Sequence, residues 1–309
     1  MLYRFFYGIL VLMSRIPLRH GRFLGKLLGL AASLVPITRP ALVLESIRLG
    51  LCPSLGEEGA RRLMRKVYLH FGQMVFEVPH ILRLNRDNLG DYVLFDQEEH
   101  LLRAIAEGKG VFILTAHFGN WEIMSAAISL RFGAGAAVVR PIDFAPLDRL
   151  VSMLRSRFGT EAIPKQRAMR RLMAALRERK MVGILLDQNV DWYEGAFVEF
   201  LGRWACTNKG LALMALKTGT PVIPTFSVRE PDGRYRVIFD REVPLIRTGD
   251  RARDVEDNTA LFTRAIERFV LRYPEQWFWF HRRWKTRNYC ELPEAYFESA
   301  TGGGTTRAL

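Results

Sequence analysis

Residues 111–122 read Val-Phe-Ile-Leu-Thr-Ala-His-Phe-Gly-Asn-Trp-Glu, and this stretch decides the expected fold. Residues 111–116 form an apolar run that is typical of a buried strand. Asn120 predicts a helix N-cap, because its side-chain oxygen can accept an N–H group of the following turn. His117 therefore lies where a strand ends and a helix begins, which is the usual place for chemistry at the edge of an α/β sheet.

Strand-like and helix-like runs alternate from about residue 90 onward. The strand-like runs are Val111–Ala116, Ala136–Arg140, Val182–Leu186, Val222–Val228 and Tyr235–Phe239; the helix-like runs are Trp121–Arg131, Leu147–Phe158, Ala168–Arg179, Lys209–Lys217 and Asn258–Arg272. Such alternation predicts an α/β fold with a central sheet flanked by helices. The last two strand-like runs are close enough for a hairpin, so the sheet is expected to be mixed.

Three regions are expected along the chain: N-terminal membrane-interface helices over residues 1–40, an α/β domain over residues 41–292, and a flexible Gly-rich tail over residues 293–309. The apolar run from Phe5 to Met13 has nine residues, which is too short to span a bilayer, because a spanning helix takes roughly 20 residues. Cationic residues punctuate the first region: Arg4, Arg15, Arg19, Arg22 and Lys26. This pattern predicts a helical segment that associates with an anionic membrane surface. The alternatives are a helical hairpin packed on the main domain and a tilted single span, against which Arg15 and Pro17 argue.

The composition favours an anionic partner. The chain has 309 residues, with 45 Lys and Arg against 32 Asp and Glu, so its net charge is +13. A nucleic acid, an anionic membrane or an acidic protein would suit this charge. No nucleic-acid-binding motif accompanies it, and we expect no nucleic-acid partner. The 3 cysteines have neither disulfide nor metal-ligand spacing.

His117 and Glu122 are the candidate catalytic residues. A carboxylate that fixes one ring nitrogen of a histidine as a donor leaves the other nitrogen free to accept a proton. Glu122 is expected to orient His117 in this way, and the activated hydroxyl would belong to the substrate because no Ser or Cys adjoins the pair. The structural alternative is that His117 ends a strand and Glu122 is a solvated acid in a helix first turn.

Further candidate residues follow other strand-like runs. Arg140 and Asp187 each end such a run, so the sheet is expected to deliver both to the edge that carries His117. Arg140 would hold a phosphate or carboxylate. Asp187 would orient His117, bind a sugar hydroxyl or place Arg140, and Gln188 would assist it. The backbone N–H groups of Gly119 and Asn120 are candidate oxyanion donors.

The motifs together resemble the bacterial lipid A biosynthesis acyltransferases, the lauroyl/myristoyl transferase family, over roughly residues 40–290. The resemblance rests on an ordered set: residues 117–122 (His-Phe-Gly-Asn-Trp-Glu), Val139-Arg140-Pro141, residues 183–188 and the aromatic, basic ending of residues 273–287. The resemblance implies transfer of a fatty acyl chain from acyl–acyl carrier protein to a hydroxyl of a lipid A precursor at the cytoplasmic face of the inner membrane. It implies no metal or organic cofactor.

The resemblance also interprets three weaker features. Asn120 and Arg203 join Arg140, Asp187 and Gln188 as candidate substrate-binding residues. Arg203 leads into a turn where Cys206-Thr207-Asn208 replaces the family's richer run of threonines, which leaves the role of Thr207 open. The ending of residues 277–287 interleaves aromatic and basic side chains. The resemblance favours lipid phosphates and a membrane interface there over base stacking.

Three other functions compete with this interpretation. The family also resembles phosphatidylinositol mannoside acyltransferases, which implies acyl-coenzyme A as donor and a different glycolipid as acceptor. A non-catalytic, membrane-associated binding protein would have the same basic surface but would not depend on His117 or Glu122. A nucleic-acid binder would show salt-dependent affinity for DNA or RNA.

Overall fold

A computed structural model describes residues 2–139, 142–165 and 168–287, and only the backbone of residues 52 and 53. Arg140, one of the candidate substrate-binding residues, and the Gly-rich tail lie outside the described residues.

Three helices precede the sheet. Helices α1 (Leu2–Arg15) and α2 (Leu18–Ala32) lead into α3 (Pro40–Glu77), which continues into a 3-10 helix, Val78–Leu82. Gly56 interrupts α3 with φ 65° and ψ 176°, so two helical segments meet there.

Helix α2 packs on α3 through glycines. Gly21, Gly25 and Gly29 recur every fourth residue, lie on one face and are buried. A Cβ atom built on Gly25 would lie 2.4 Å from the Cα of Gln73, and one on Gly29 would lie 2.1 Å from the carbonyl oxygen of Tyr68. Because the backbones approach so closely, no larger residue fits on this face. Leu24, Leu27, Leu28 and Leu30 of α2 are consequently exposed, whereas Leu18 at its start packs against the core.

The central sheet has seven strands in the order β1-β9-β8-β2-β5-β3-β4. All neighbours are parallel except β8 and β9. The bounds are β1 Val93–Asp96, β2 Val111–Thr115, β3 Gly135–Val139, β4 Glu161–Pro164, β5 Met181–Leu185, β8 Val222–Arg229 and β9 Tyr235–Phe239. Strands β6 (Gly195–Phe200) and β7 (Arg203–Asn208) form a separate antiparallel hairpin.

Helices cover both faces of the sheet. They are α4 Glu98–Ala106, α5 Trp121–Phe132, α6 Ala145–Ser156, α7 Ala168–Arg177, α8 Gly210–Thr218 and α9 Arg251–Arg272. Strand β2 alternates between two cores: Val111 and Ile113 pack with α5, whereas Phe112 and Leu114 pack with α7, α8 and α9. Side chains of a strand point alternately to opposite faces, so a strand buried on both sides reads as a continuous apolar run.

The predicted α/β fold with a mixed sheet flanked by helices is confirmed. Each of the five strand-like and five helix-like runs corresponds to an element, with ends displaced by one or two residues except at α9, which begins at Arg251. The sequence missed β1, β4, β6 and β7. The first two are short strands of four residues at the sheet edges, where the burial pattern is weak.

The first two helices leave many apolar side chains exposed. Among the described residues, no helix combines the length and the hydropathy that crossing a bilayer requires. Large exposed apolar side chains on α1, α2 and the following turn are Leu2, Phe5, Tyr7, Ile9, Leu12, Phe23, Leu24, Leu27, Leu28, Leu30, Leu34, Val35 and Ile37. Continuous exposed patches of this kind mark protein–protein or membrane contact surfaces.

Candidate active site

The sheet splits at its carboxyl edge. Strand β5 pairs with β2 as far as Leu185, but with β3 only as far as the Gly183–Ala137 pair. Beyond that pair the two strands separate, and Val138, Val139 and Leu185 line a cavity of about 840 Å³. Crevices at the carboxyl ends of parallel strands are the usual ligand sites of α/β sheets.

His117 and Asp187 meet at the mouth of this cavity. They follow β2 and β5, which are adjacent parallel strands, so both residues emerge at the same edge. The Nδ1 atom of His117 lies 2.9 Å from Oδ1 of Asp187, and the His117 backbone N–H donates to Oδ2 at 3.0 Å. The ring is partly exposed, whereas the carboxylate is fully buried.

Asp187 is held as a buried carboxylate. Burial by itself would raise the pKa of Asp187, but His117, His281 and the indole N–H of Trp277 hold that pKa well below its usual range. The Trp277 Nε1–H donates to Oδ2 at 2.9 Å. Because an ionised carboxylate only accepts hydrogen bonds, Nδ1 of His117 carries the proton and Nε2 keeps its lone pair. Among the described residues, no protein group hydrogen-bonds Nε2.

Glu122 has a different partner from the one expected. Its carboxylate accepts two-point hydrogen bonds from the guanidinium of Arg155, with Nε to Oε2 at 2.9 Å, and another from the Trp121 indole at 3.0 Å. His117 thus donates to Asp187 instead of to the predicted Glu122, and this orienting role of Asp187 is one that the sequence had left as an alternative. Glu122 and Arg155 both line the cavity. Burial lowers the pKa of Arg155, but Glu122 raises it above its usual value overall.

A second buried carboxylate lies behind the motif. Glu77, at the end of α3, is 1% exposed and accepts hydrogen bonds from Arg22, Arg229 and the Tyr235 hydroxyl. Burial would raise its pKa, but these partners lower it to about 2. The amide Nδ2 of Asn120 lies 3.5 Å from the same carboxylate. The active-site loop is formed by residues 116–120, between β2 and α5. The Glu77 cluster connects the N-terminal helices to the back of this loop.

The predicted oxyanion donors are wrong. The Gly119 N–H donates to the Gln276 carbonyl at 2.9 Å, and the Asn120 N–H donates to the Ser227 hydroxyl at 3.0 Å. Gly119 has φ 58°, and a Cβ there would lie 1.7 Å from the Ser227 carbonyl oxygen. The loop is therefore pressed against β8, and its N–H groups hold the loop rather than face the cavity. No sequence pattern signals this approach.

The remaining candidates divide into two groups. Gln188 lines the cavity beside Asp187. Asn120 is fully buried, and its side chain caps α5 by accepting the Ile123 N–H at 3.1 Å, as its predicted N-cap position requires. The exposed side chain of Arg203 donates to the Leu49 carbonyl at 2.7 Å. Thus neither Asn120 nor Arg203 is among the cavity-lining side chains.

The aromatic and basic residues of 277–287 contact the residues of the candidate site from the protein interior. Phe278 N–H donates to the His117 carbonyl at 2.9 Å, so this segment pairs with the active-site loop. Trp277, Trp279 and Arg283 are buried, and Arg283 donates to the Cys206 carbonyl at 3.0 Å. The expectation of an aromatic membrane belt here is wrong for Trp277 and Trp279, which lie in the core, and Trp284 is partly buried against the same core. Of the basic residues, Arg282, Lys285 and Arg287 are exposed.

The arrangement can perform general-base chemistry beside an apolar cavity. It offers a free imidazole nitrogen, a buried carboxylate to stabilise the imidazolium, and a second charge pair on the cavity wall. Sequence reasoning missed Arg155 and Trp277; Arg155 lies 33 residues from its partner, and no local pattern links the two. No cluster of His, Cys, Asp and Glu able to hold a metal ion occurs in the part of the chain that the structure describes.

The family model that matches this chain and the three relatives described next are all acyltransferases. The family model described as bacterial lipid A biosynthesis acyltransferase matches residues 2–286. A lipid A biosynthesis lauroyltransferase of Escherichia coli is 25% identical over 91% of this chain and 90% of its own length. A lipid A biosynthesis acyltransferase of Haemophilus influenzae is 26% identical over 76% and 72%. A phosphatidylinositol mannoside acyltransferase of Mycolicibacterium smegmatis is 22% identical over 70% and 69%.

Proposed function

Because the chain belongs to the bacterial lipid A biosynthesis acyltransferase family and is an acyltransferase, we propose that it transfers a fatty acyl chain from acyl–acyl carrier protein to a hydroxyl of a lipid A precursor. The observation that carries the proposal is the His117–Asp187 pair, whose free ring nitrogen lies at the mouth of a largely apolar cavity.

His117 acts as the general base. Its Nε2 takes the proton of the acceptor hydroxyl while that oxygen attacks the thioester carbonyl carbon. The carbon–sulfur bond then breaks, and the departing thiolate recovers the proton from the imidazolium. Asp187 stabilises the imidazolium, because its buried negative charge lies against Nδ1 and forms no direct salt bridge with an arginine or lysine of the described residues. No covalent enzyme intermediate is required.

Glu122 acts from the cavity wall in this proposal. Two-point hydrogen bonds from Arg155 fix the carboxylate of Glu122. Trp121, which also donates to Glu122, packs edge-to-face on His117 with ring centroids 5.2 Å apart. We propose that Glu122 and Arg155 position the polar end of a substrate beside His117. Gln188 and Arg140, which follow neighbouring strands, would contact the acceptor at the same edge.

The cavity between β5 and β3 would hold the acyl chain. Its body is lined by Ala137, Val139, Leu172, Ile184 and Leu213, which suit a hydrocarbon chain. A volume of about 840 Å³ lies within the usual range for ligand cavities. Burial of each methylene would contribute roughly 0.8 kcal/mol.

The exposed apolar surface of α1 and α2 would lie in the cytoplasmic face of the inner membrane. The glycine face of α2 packs on α3, so its leucines are free to enter the interface. The net charge of +13 would favour an anionic leaflet and an acidic carrier protein. Membrane attachment would bring the enzyme to a glycolipid acceptor that does not leave the bilayer.

One observation supports the alternative, in which acyl-coenzyme A is the donor and another glycolipid is the acceptor. Phosphatidylinositol mannoside acyltransferases also align with this chain, at 22% identity in the case quoted above. Acyl-coenzyme A would then replace the carrier-protein thioester. The catalytic roles of His117 and Asp187 would be unchanged.

Product mass tests the proposal. Purified protein in detergent receives a tetra-acylated, sugar-extended lipid A precursor with a mixture of acyl carrier protein thioesters, and in parallel with acyl-coenzyme A. A mass gain of one acyl chain from the carrier-protein donor supports the proposal and identifies the chain length. Gain only from coenzyme A, or only with a phosphatidylinositol mannoside, supports the alternative.

A matched pair of variants tests the mechanism in the same assay. His117→Ala should lower turnover about 10²- to 10⁴-fold, the usual contribution of a general base. His100→Ala is the control, because His100 is bonded to the Phe239 carbonyl at 2.8 Å, away from the cavity lining. Turnover that survives in His117→Ala would eliminate the general-base assignment.

A further inference from the structure

A second groove lies where α1 meets the end of the 3-10 helix Val78–Leu82. Its volume is about 660 Å³, and its lining includes Arg15, Arg83 and Arg157 together with Tyr7, Val11 and Leu82. None of these residues lines the catalytic cavity. The groove is therefore a separate feature, formed by three segments that are distant in sequence.

Three arginines and no carboxylate line this groove. Within the described ranges, none of the three guanidinium groups forms a salt bridge, whereas many other arginines of the chain do. Arg83 donates to the Ser14 carbonyl at 3.4 Å, and Arg157 donates to the Leu82 carbonyl at 2.7 Å. Neutral carbonyls thus orient two of the cations without cancelling their charge. An anion in the groove would relieve their mutual repulsion.

The groove adjoins the apolar surface of α1. Leu2, Phe5, Ile9 and Leu12 recur at helical spacing and are all exposed. Tyr7, Val11 and Arg15 recur every fourth residue along the neighbouring stripe, which lines the groove. A molecule in the groove would thus meet cations while its apolar part continues along the exposed stripe of α1.

We propose that this groove binds the phosphate of an anionic phospholipid headgroup. The inference rests on the proposed membrane placement of α1, and it adds a discrete binding site to that surface. Guanidinium groups donate two-point, charge-assisted hydrogen bonds to phosphate oxygens, and three of them converge here. The headgroup phosphate lies among the arginines, and the acyl chains follow Leu12 and the exposed stripe of α1. The site fixes the depth and rotation of α1 in the leaflet.

Calorimetric titration of the full chain in a neutral detergent tests the site. The probe is dihexanoyl phosphatidylglycerol below its micelle concentration; dihexanoyl phosphatidylcholine and inorganic phosphate are titrated in parallel. We expect saturable binding of the phosphatidylglycerol, with weaker binding of the other two. The variant Arg15→Gln/Arg83→Gln/Arg157→Gln should lose about tenfold or more in affinity.

A charge-matched control separates a built site from diffuse attraction. Arg170→Gln/Arg177→Gln/Arg251→Gln removes the same charge from exposed positions on α7 and α9, and its affinity should stay within about twofold of the original protein. Arg15→Gln alone serves if the triple variant fails to fold, because Arg15 makes no hydrogen bond in the described part of the chain. Equal losses in the two triple variants would overturn the proposal.

The other possible outcomes also decide whether the groove binds a phospholipid headgroup. Inorganic phosphate binding as tightly as the lipid would reassign the groove to a free anion, and the absence of saturable lipid binding would eliminate the site. Acyl transfer is measured on the same preparations. Transfer without lipid binding defeats only this inference, whereas lipid binding without transfer defeats only the proposed function.

Discussion

Two buried carboxylates lie on opposite sides of the active-site loop, and their surroundings differ in one respect. Glu77 is paired with two guanidinium groups, Arg22 and Arg229, which remain charged at every relevant pH. Asp187 is paired with the imidazole of His117 and with neutral N–H donors. The first charge forms direct ion pairs with permanent cations, whereas the direct ion pair of the second, among the described residues, is with His117 and exists only when that ring is protonated; the Arg283 guanidinium acts on Asp187 without a salt bridge.

This difference separates a structural charge from a functional one. A buried charge without a permanent cation in direct contact is costly to the fold, and the cost falls when a proton arrives at the neighbouring group. Asp187 therefore stabilises the state of His117 that forms during proton transfer. Glu77 gains nothing from that step, but it holds α2, α3 and β8 together behind the loop. The comparison predicts that substitution of Asp187 lowers turnover, whereas substitution of Glu77 lowers the free energy of unfolding.

The largest effect is expected for Asp187→Asn, which should lower turnover about 10²- to 10⁴-fold. The amide NH₂ would face Nδ1, so the imidazole would move its proton to Nε2 and lose its acceptor there. Initial rates of acyl transfer at saturating substrate check this. Thermal unfolding is measured beside them, and a rate close to the original would contradict the assigned role of Asp187.

Glu77→Ala should instead lower the free energy of unfolding by about 3–5 kcal/mol, because it leaves Arg229 buried without its countercharge. Denaturant unfolding measures this loss. Glu58→Ala is the control: Glu58 is an exposed residue paired with Arg62 at 3.6 Å, and its removal should cost less than about 1 kcal/mol. Similar losses in the two variants would show that Glu77 is no more than a surface charge in its effect.

Tyr235→Phe sharpens the comparison by removing one neutral donor from Glu77. The hydroxyl lies 2.8 Å from the carboxylate, and a hydrogen bond to a charged group contributes about 1.5–3 kcal/mol. The variant should lose stability in that range while turnover per folded molecule stays within about twofold. A selective loss of turnover would mean that the Glu77 cluster acts on the reaction and not only on the fold.

The last prediction is a pH dependence carried by His70. Burial and the nearby Arg229 lower its pKa to about 3 from a usual value of 6.5. The unfolded chain therefore binds the proton more readily between these pH values, so the free energy of unfolding falls as pH decreases through that window. The slope approaches about 1.4 kcal/mol per pH unit.

His70→Gln should remove this contribution. Below about pH 4.5 Glu77 adds a loss of the same sign, because its pKa in the folded protein is about 2. Unfolding is measured at pH 7, 6 and 5, where the lowered pKa values of His80 and His281 add a loss of the same sign to both proteins. The difference between the two proteins therefore isolates His70, and the variant should show the shallower decrease. Parallel curves for the two proteins would contradict the assignment.

Much of the fold was predictable because the central strands are buried on both faces. Phe112, Leu114 and Val222 belong to apolar runs that the sequence displays directly. The edge strands β1 and β4 were missed because they are short and half exposed. The N-cap at Asn120 was predictable because capping is a local interaction, which a spacing of three residues reveals.

The site was predictable only as far as strand order allows. His117 and Asp187 each follow an apolar run, so their shared edge could be inferred, but their direct contact depends on β2 and β5 being neighbours. Glu122 was given the wrong hydrogen-bond partner because proximity in sequence outweighed a residue 70 positions away. The oxyanion prediction failed because Ser227 and Gln276, which occupy those N–H groups, come from distant segments.

The glycine face of α2 has a practical consequence for handling this enzyme. Backbone contact with α3 fixes the position of α2, so the exposed leucines of α2 are not needed to hold the helix on the domain. Leu24, Leu27 and Leu28 could be replaced by glutamine or lysine without disturbing the contacts that hold the helix. Such a variant would expose less apolar surface and is expected to need less detergent, while every residue that lines the catalytic cavity keeps its identity.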